Sequence, residues 1–192
     1  MFRKIVSAAA IIACSLGISA CASLLDLQET TPSVPVEPKK EVKTEAAVTG
    51  GFLGAFRAES FGEYSYEKKR TKEETAKKYN YKPSQGILIK IEAASVVPGR
   101  VRAGETVKLS MTYAVLGAAS RNELTITETR EIRYKGELFG KPKIYVPRGD
   151  GTYSSSIPVT LPSSAKKGQY KVLLTVQTHK RSISKEATFY VN

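Results

Sequence analysis

The chain has 192 residues, and 30 Lys and Arg face 18 Asp and Glu, a formal net charge of +12 at neutral pH. That length allows one domain with tails or two small domains, and the surplus favours anionic partners: phospholipid headgroups, lipopolysaccharide phosphates, acidic glycans or acidic proteins. One His, two Cys and no Trp leave little for histidine catalysis, thiolate metal sites or stacking of sugars on indole rings.

Arg3 and Lys4 open the chain, and an uncharged apolar run follows from Ile5 to Ile18. The run falls short of the roughly 20 residues that a spanning helix needs. Charged start, apolar run and small residues have the form of an export signal over residues 1–20. Ile18, Ser19 and Ala20 then lead into Cys21, which matches a lipobox. This N-terminus resembles that of bacterial lipoproteins. The resemblance implies that the Cys21 thiol takes a diacylglycerol, that the chain is cut before it, and that the new amine is acylated. More than one acyl chain is what stable anchoring requires, so the expected membrane partner is reached through a covalent lipid. Ala22 stands where an aspartate would hold a Gram-negative lipoprotein at the inner membrane. Its presence implies sorting to the outer membrane, facing either the periplasm or the exterior. The alternative is an ordinary signal peptide cleaved after Ala20. Cleavage removes two of the 30 basic residues and none of the 18 acidic ones, so the net charge falls from +12 to +10. Cys14 leaves with the signal and Cys21 is lipidated, so no disulfide or free thiolate is expected.

Residues 21–48 read as anchor and linker. Pro32, Pro35 and Pro38 recur at every third position, a pattern suited to extended, semi-rigid chain. From residue 46 small residues recur at every fourth position: Ala46, Gly50, Gly54, Ala58 and Gly62. On a helix they would share one face and permit close helix contact, and the segment resembles the glycine zippers of bacterial envelope lipoproteins. Self-association through it is one expectation; a Gly-rich hinge is the other. The apolar stretch Val48–Phe56 is too short to span, and Arg57, Glu59 and Glu63 interrupt it. Residues 63–80 are strongly charged and predict an exposed helix with Lys69/Glu73, Glu73/Lys77 and Glu74/Lys78 spaced four apart. Lys68, Lys69, Arg70, Lys72, Lys77 and Lys78 concentrate positive charge there. Segments 49–82 thus form a Gly-containing stretch and a charged helix, and Pro83-Ser84-Gln85-Gly86 breaks the chain.

Between residues 86 and 192 the pattern changes to period-two alternation punctuated by turns. Ile87, Ile89 and Ile91 mark a first strand, and Val107, Leu109, Met111, Tyr113 and Val115 a second. The third runs from Leu124 to Tyr134 through a polar stretch, and the fourth lies around Ile144 and Val146. Gly149-Asp150-Gly151 makes a turn. Tyr153 to Leu161, Tyr170 to Val176 and Ile183 to Val191 complete seven strands. Seven short strands without helical period predict an all-β fold, a single seven-stranded immunoglobulin-like antiparallel β-sandwich. Gly168-Gln169-Tyr170-Lys171-Val172 places Tyr170 at the entry to the sixth strand, where its hydroxyl could bond upstream backbone as a tyrosine corner does. This region resembles bacterial immunoglobulin-like and macroglobulin-type modules. Lipobox, zipper-like segment and sandwich together resemble Gram-negative envelope lipoproteins.

No pattern carries catalysis. His179 sits beside Lys180 and Arg181 in a turn, and a lone turn histidine is more often surface decoration than a catalytic base. Asp26 and Asp150 are the only aspartates, too few for an Asp-rich calcium loop. Glu128 and Glu131 are three apart in a strand and so lie on opposite faces. Nucleophile elbow, phosphate loop and zinc spacing are absent, so no catalytic residue, metal or cofactor is expected. Arg148-Gly149-Asp150 spells an integrin-type tripeptide, which ordinary turn chemistry also explains. The expected function is a non-enzymatic envelope lipoprotein whose sandwich binds an envelope protein, anionic glycan or lipid, with no nucleic-acid role. The alternative is a structural spacer, self-associating through residues 46–62.

Overall fold

The computed structural model describes residues 43–47, 60–118 and 123–192. Their order is β1 (Lys43–Ala47), β2 (Ser65–Arg70), α1 (Lys72–Lys78), β3 (Leu88–Val97), β4 (Arg100–Val101), β5 (Thr106–Leu116), β6 (Leu124–Tyr134), β7 (Glu137–Arg148), β8 (Gly151–Thr160), β9 (Gly168–Gln177) and β10 (Ser182–Val191). Two sheets form a β-sandwich, in the orders β1-β7-β6-β9-β10-β4 and β2-β8-β5-β3. All pairings are antiparallel except the short one between β10 and β4. The seven strands expected from alternation correspond to β3 and β5 to β10. None of the described helices is long and apolar enough to cross a membrane.

Alternation decides which side chains meet. Val107, Leu109, Met111, Tyr113 and Val115 point inward from β5, and Tyr153, Ile157 and Val159 from β8. Ile126, Ile132, Ile144, Val146, Val172, Leu174 and Val176 answer from the other sheet. All belong to one apolar cluster. At period two these residues share a face, and burying that face is the main drive for the fold.

Three expectations change. The charged stretch is not one helix: Ser65–Arg70 form β2, which pairs with β8. Only one residue of β2 escapes the exposed class, so its charged composition imitates a solvated helix. Charges are a common protection of edge strands against stray pairing. The helix is confined to α1, which starts at a capping box. The Glu74 amide donates to Thr71 Oγ1 at 3.2 Å, and the Thr71 amide to Glu74 Oε2 at 2.8 Å. The spacing-four ion pairs give way to other partners: Lys69 pairs with Glu67 at 2.6 Å and Lys78 with Glu92 at 3.0 Å.

The linker reading also shifts, because Lys43–Ala47 add a strand to the edge of β7 opposite Lys141–Tyr145. Third, the two described ends of the small-residue pattern are not helical. Ala46 lies in β1, and Gly62 lies flat on β8. The Gly62 amide donates to the Pro158 carbonyl at 2.9 Å, and a Cβ there would meet Pro158 Cγ at 2.6 Å. Gly62 therefore serves the chain's own sheet contact. Gly50, Gly54 and Ala58 lie outside the described residues, as do Ile18, Ser19, Ala20 and Cys21.

Candidate functional site

Tyr170 enters β9 fully buried and donates its hydroxyl to the Lys166 carbonyl at 3.1 Å, four residues upstream. Tyr134 does the same to Lys167 at 2.9 Å. The Tyr170 ring stacks on Phe189 at 5.0 Å and packs near Tyr134 and Phe139. Two tyrosines thus pin the loop before β9 to an aromatic end of the core. This is a structural device, since both hydroxyls are spent on backbone.

The integrin-type reading of residues 148–150 fails on geometry. Arg148 is buried and turned toward Tyr113 and Tyr64. Asp150 Oδ1 accepts the Ala118 amide at 2.8 Å. Neither side chain is presented at a loop tip.

Alternation had a further consequence. Glu128 and Arg130 are two apart in β6 and share the inward face of Ile126, Ile132 and Tyr134. They build a charged cluster between the sheets. Glu128 Oε2 accepts from Ser155 Oγ at 2.6 Å and from Arg130 Nη2 at 3.0 Å. Glu128 Oε1 accepts from Tyr113 at 2.6 Å and from Tyr64 at 2.7 Å. Arg148 donates to the same two phenols, through Nε to Tyr113 at 3.1 Å and through Nη2 to Tyr64 at 2.7 Å. Its guanidinium also lies 3.9 Å from the Tyr66 ring centre and 4.8 Å from that of Tyr153, a cation–π arrangement. Burial pushes the Glu128 carboxyl up, but Arg130, Ser155, Tyr113 and Arg148 outweigh it and hold the group below its ordinary value. Burial, then the Glu128 charge, push both phenols well above the ordinary tyrosine range. The cluster ties Tyr64, ahead of β2, to four strands.

A second charged knot lies nearer the surface. Glu92 accepts from Arg70, from Tyr79 at 2.6 Å and from Lys78 at 3.0 Å. Partial burial would raise its carboxyl, yet these partners lower it to about 2. The knot clamps β2 and α1 onto β3. It also consumes much of the positive charge expected to be free near the anchor, since Lys72 lies 3.8 Å from Asp150 as well. Buried hydroxyls of Thr75 and Thr152, 3.0 Å apart, complete the docking of α1.

A cleft of about 1050 Å³ opens at one end of the sandwich, lined by residues of 85–87, the ends of β5 and β6, part of β7 and the β9–β10 turn. Lys143, His179, Lys180 and Arg181 bring basic groups to it, Glu123 an acidic one, and Tyr145 an aromatic ring. The turn is well built: Thr178 Oγ1 accepts the amides of Lys180 at 3.2 Å and Arg181 at 3.0 Å. That leaves His179, Lys180 and Arg181 exposed. Among the described residues no group of His, Cys, Asp and Glu could hold a metal.

No protein-family model matches the chain, and no curated protein does. Solved structures give weak likenesses. A family 123 glycoside hydrolase from Clostridium perfringens aligns over 69% of this chain and 27% of its own, at 10% identity and a TM-score of 0.42. A CARDB domain from Pyrococcus furiosus aligns over 56% of this chain and 84% of its own, at 18% identity and a TM-score of 0.33. A conjugative transposon lipoprotein from Bacteroides eggerthii aligns over 54% and 95%, at 10% identity and a TM-score of 0.30. The chain therefore spans about a quarter of the glycoside hydrolase.

Proposed function

We propose that this protein is a non-enzymatic envelope lipoprotein, anchored to the outer membrane through Cys21, whose β-sandwich binds an anionic envelope component. The observation that carries this reading is the cleft at the β9–β10 end, where His179, Lys180 and Arg181 stand exposed on one turn beside Lys143 and Tyr145. A concave basic site suits phosphate or carboxylate groups on a glycan or lipid. The charged cluster around Glu128 presents no face to a glycan or lipid, since Glu128, Arg130 and Arg148 are buried between the sheets. The strand at residues 43–47 and the contact of Gly62 with Pro158 commit both described ends of the small-residue segment to the chain's own sandwich.

The test has two arms. Cys21→Ala should abolish labelling by a fatty-acid analogue and release the protein from the outer-membrane fraction; equal labelling of both forms refutes the anchor. Wild type should retain lipopolysaccharide or anionic vesicles at low salt and release them near 1 M salt, where the screening length falls to about 3 Å. Lys180→Glu with Arg181→Glu should weaken that retention, and unchanged retention refutes the cleft as the binding site.

A further inference from the structure

Among the described residues, the charged cluster inside the sandwich is not balanced. Glu128, Arg130 and Arg148 are 0%, 0% and 3% exposed. One carboxylate therefore faces two guanidinium groups. Tyr64 and Tyr113 add no charge, because both hydroxyls keep their protons and donate them to Glu128. The other buried acid, Glu131, lies on the opposite face of β6 and is held by Arg133 and by Lys141 at 3.0 Å.

The hydrogen bonds are unbalanced at the same place. Arg148 uses Nε, Nη1 and Nη2, on Tyr113, the Pro147 carbonyl and Tyr64. Arg130 uses Nη2 alone, on Glu128 and Ser155. Its Nε and Nη1 are buried and have no acceptor among the described residues. Buried donors are almost always satisfied, and a buried charge without a counter-charge is more costly still. The unmet donors thus lie on Arg130, in the same cluster whose two guanidinium groups share one carboxylate, Arg130 at 3.0 Å and Arg148 at 3.6 Å.

We propose that a small monovalent anion of the halide class binds against the Arg130 guanidinium, between the two sheets. A water molecule would supply an acceptor but leave the extra charge in place. An anion supplies both. The complete burial of Arg130 favours an ion small enough to enter through transient openings over a phosphate or carboxylate carried on a larger ligand. A ligand that binds only the folded state raises stability as its concentration passes the dissociation constant. The ion would therefore act as a structural counter-ion at the centre of the fold.

The experiment is thermal unfolding of the full chain at constant ionic strength, with sodium chloride or bromide replaced stepwise by sodium gluconate. Wild type should unfold at higher temperature as halide increases, and Arg130→Met should lose that dependence. Identical midpoints in halide and gluconate, or an equal halide effect in Arg130→Met, would overturn the proposal in favour of water or a general salt effect. Should Arg130→Met fail to fold, chloride line broadening in the NMR spectrum of wild type decides. Broadening that bromide displaces supports the site, and its absence overturns it.

Discussion

Glu128 is the residue on which the interior depends, because five polar groups converge on one carboxylate. Removing its charge leaves Arg130 and Arg148 buried together without the one counter-charge that the described side chains supply. Breaking a buried pair in this way costs about 3–5 kcal/mol, so Glu128→Gln should lower the urea midpoint by a corresponding amount. A midpoint within error of wild type would show that the cluster is hydrated rather than sealed. Tyr170 sits at the other extreme of the core, with one neutral bond from its hydroxyl to Lys166. Tyr170→Phe should lose about 1 kcal/mol. Tyr170→Ala should lose about 3–5 kcal/mol, since the ring packed among Tyr134, Phe139 and Phe189 leaves a cavity. Denaturant curves of the two variants separate the hydroxyl from the ring, and a Tyr170→Phe midpoint equal to wild type would refute the bond. Tyr170 was legible from its place two residues after Gly168 at a strand entry. Glu128 and Arg130 were legible as well, since strict alternation from Leu124 to Tyr134 puts both on the inward side. Which groups would meet the inward acid was not legible, since besides Arg130 on the same strand its partners come from β5, β7, β8 and the segment before β2.

At the scale of elements, β2 and α1 are where composition misled. Ser65–Arg70 look like solvated chain, yet their backbone pairs with β8 opposite Thr152–Ser156. The sandwich therefore extends upstream of residue 86. A fragment of residues 86–192 loses the neighbour of β8, the Tyr64 partner of Arg148 and the clamp on Glu92. A fragment of residues 60–192 keeps all three. The longer one should unfold cooperatively with a clearly higher urea midpoint. Equal midpoints would show that β2 and α1 are passengers on a self-sufficient seven-stranded core. β5 was the easiest element to read, because its five inward positions are all apolar and all buried. β4 was unreadable, since two residues cannot display a period.

Over the whole molecule, acid stability follows from three carboxylates held below their ordinary values. Glu92 is lowered to about 2, and Glu128 and Glu131 shift in the same direction. An unfolded glutamate titrates near about 4.3. Each therefore contributes stability that is fully present above that pH and is lost as the pH falls through its folded value. The unfolding midpoint should stay level from neutral pH to about 5 and then fall. For Glu92 the loss should occupy the window from about 4.3 down to about 2. Glu92→Gln should lower the midpoint at pH 7 and converge on wild type as the pH nears 2. A constant difference across that range would mean that the Arg70, Tyr79 and Lys78 contacts do not depend on the charge of Glu92.

The sequence by itself determined the sandwich, because alternating apolar residues must share a face and a face must be buried. It determined the likeness of Cys21 and its three preceding residues to a lipobox, because that motif is local and linear. Only the tertiary structure decided that a charged stretch is an edge strand, since pairing is settled by the backbone of a partner distant in sequence. Only it decided that Arg148 and Asp150 turn inward rather than out, and that Glu128 is shared by two arginines and two tyrosines. Those outcomes depend on which strands become neighbours, and period-two alternation assigns a residue to a face without naming what stands across from it.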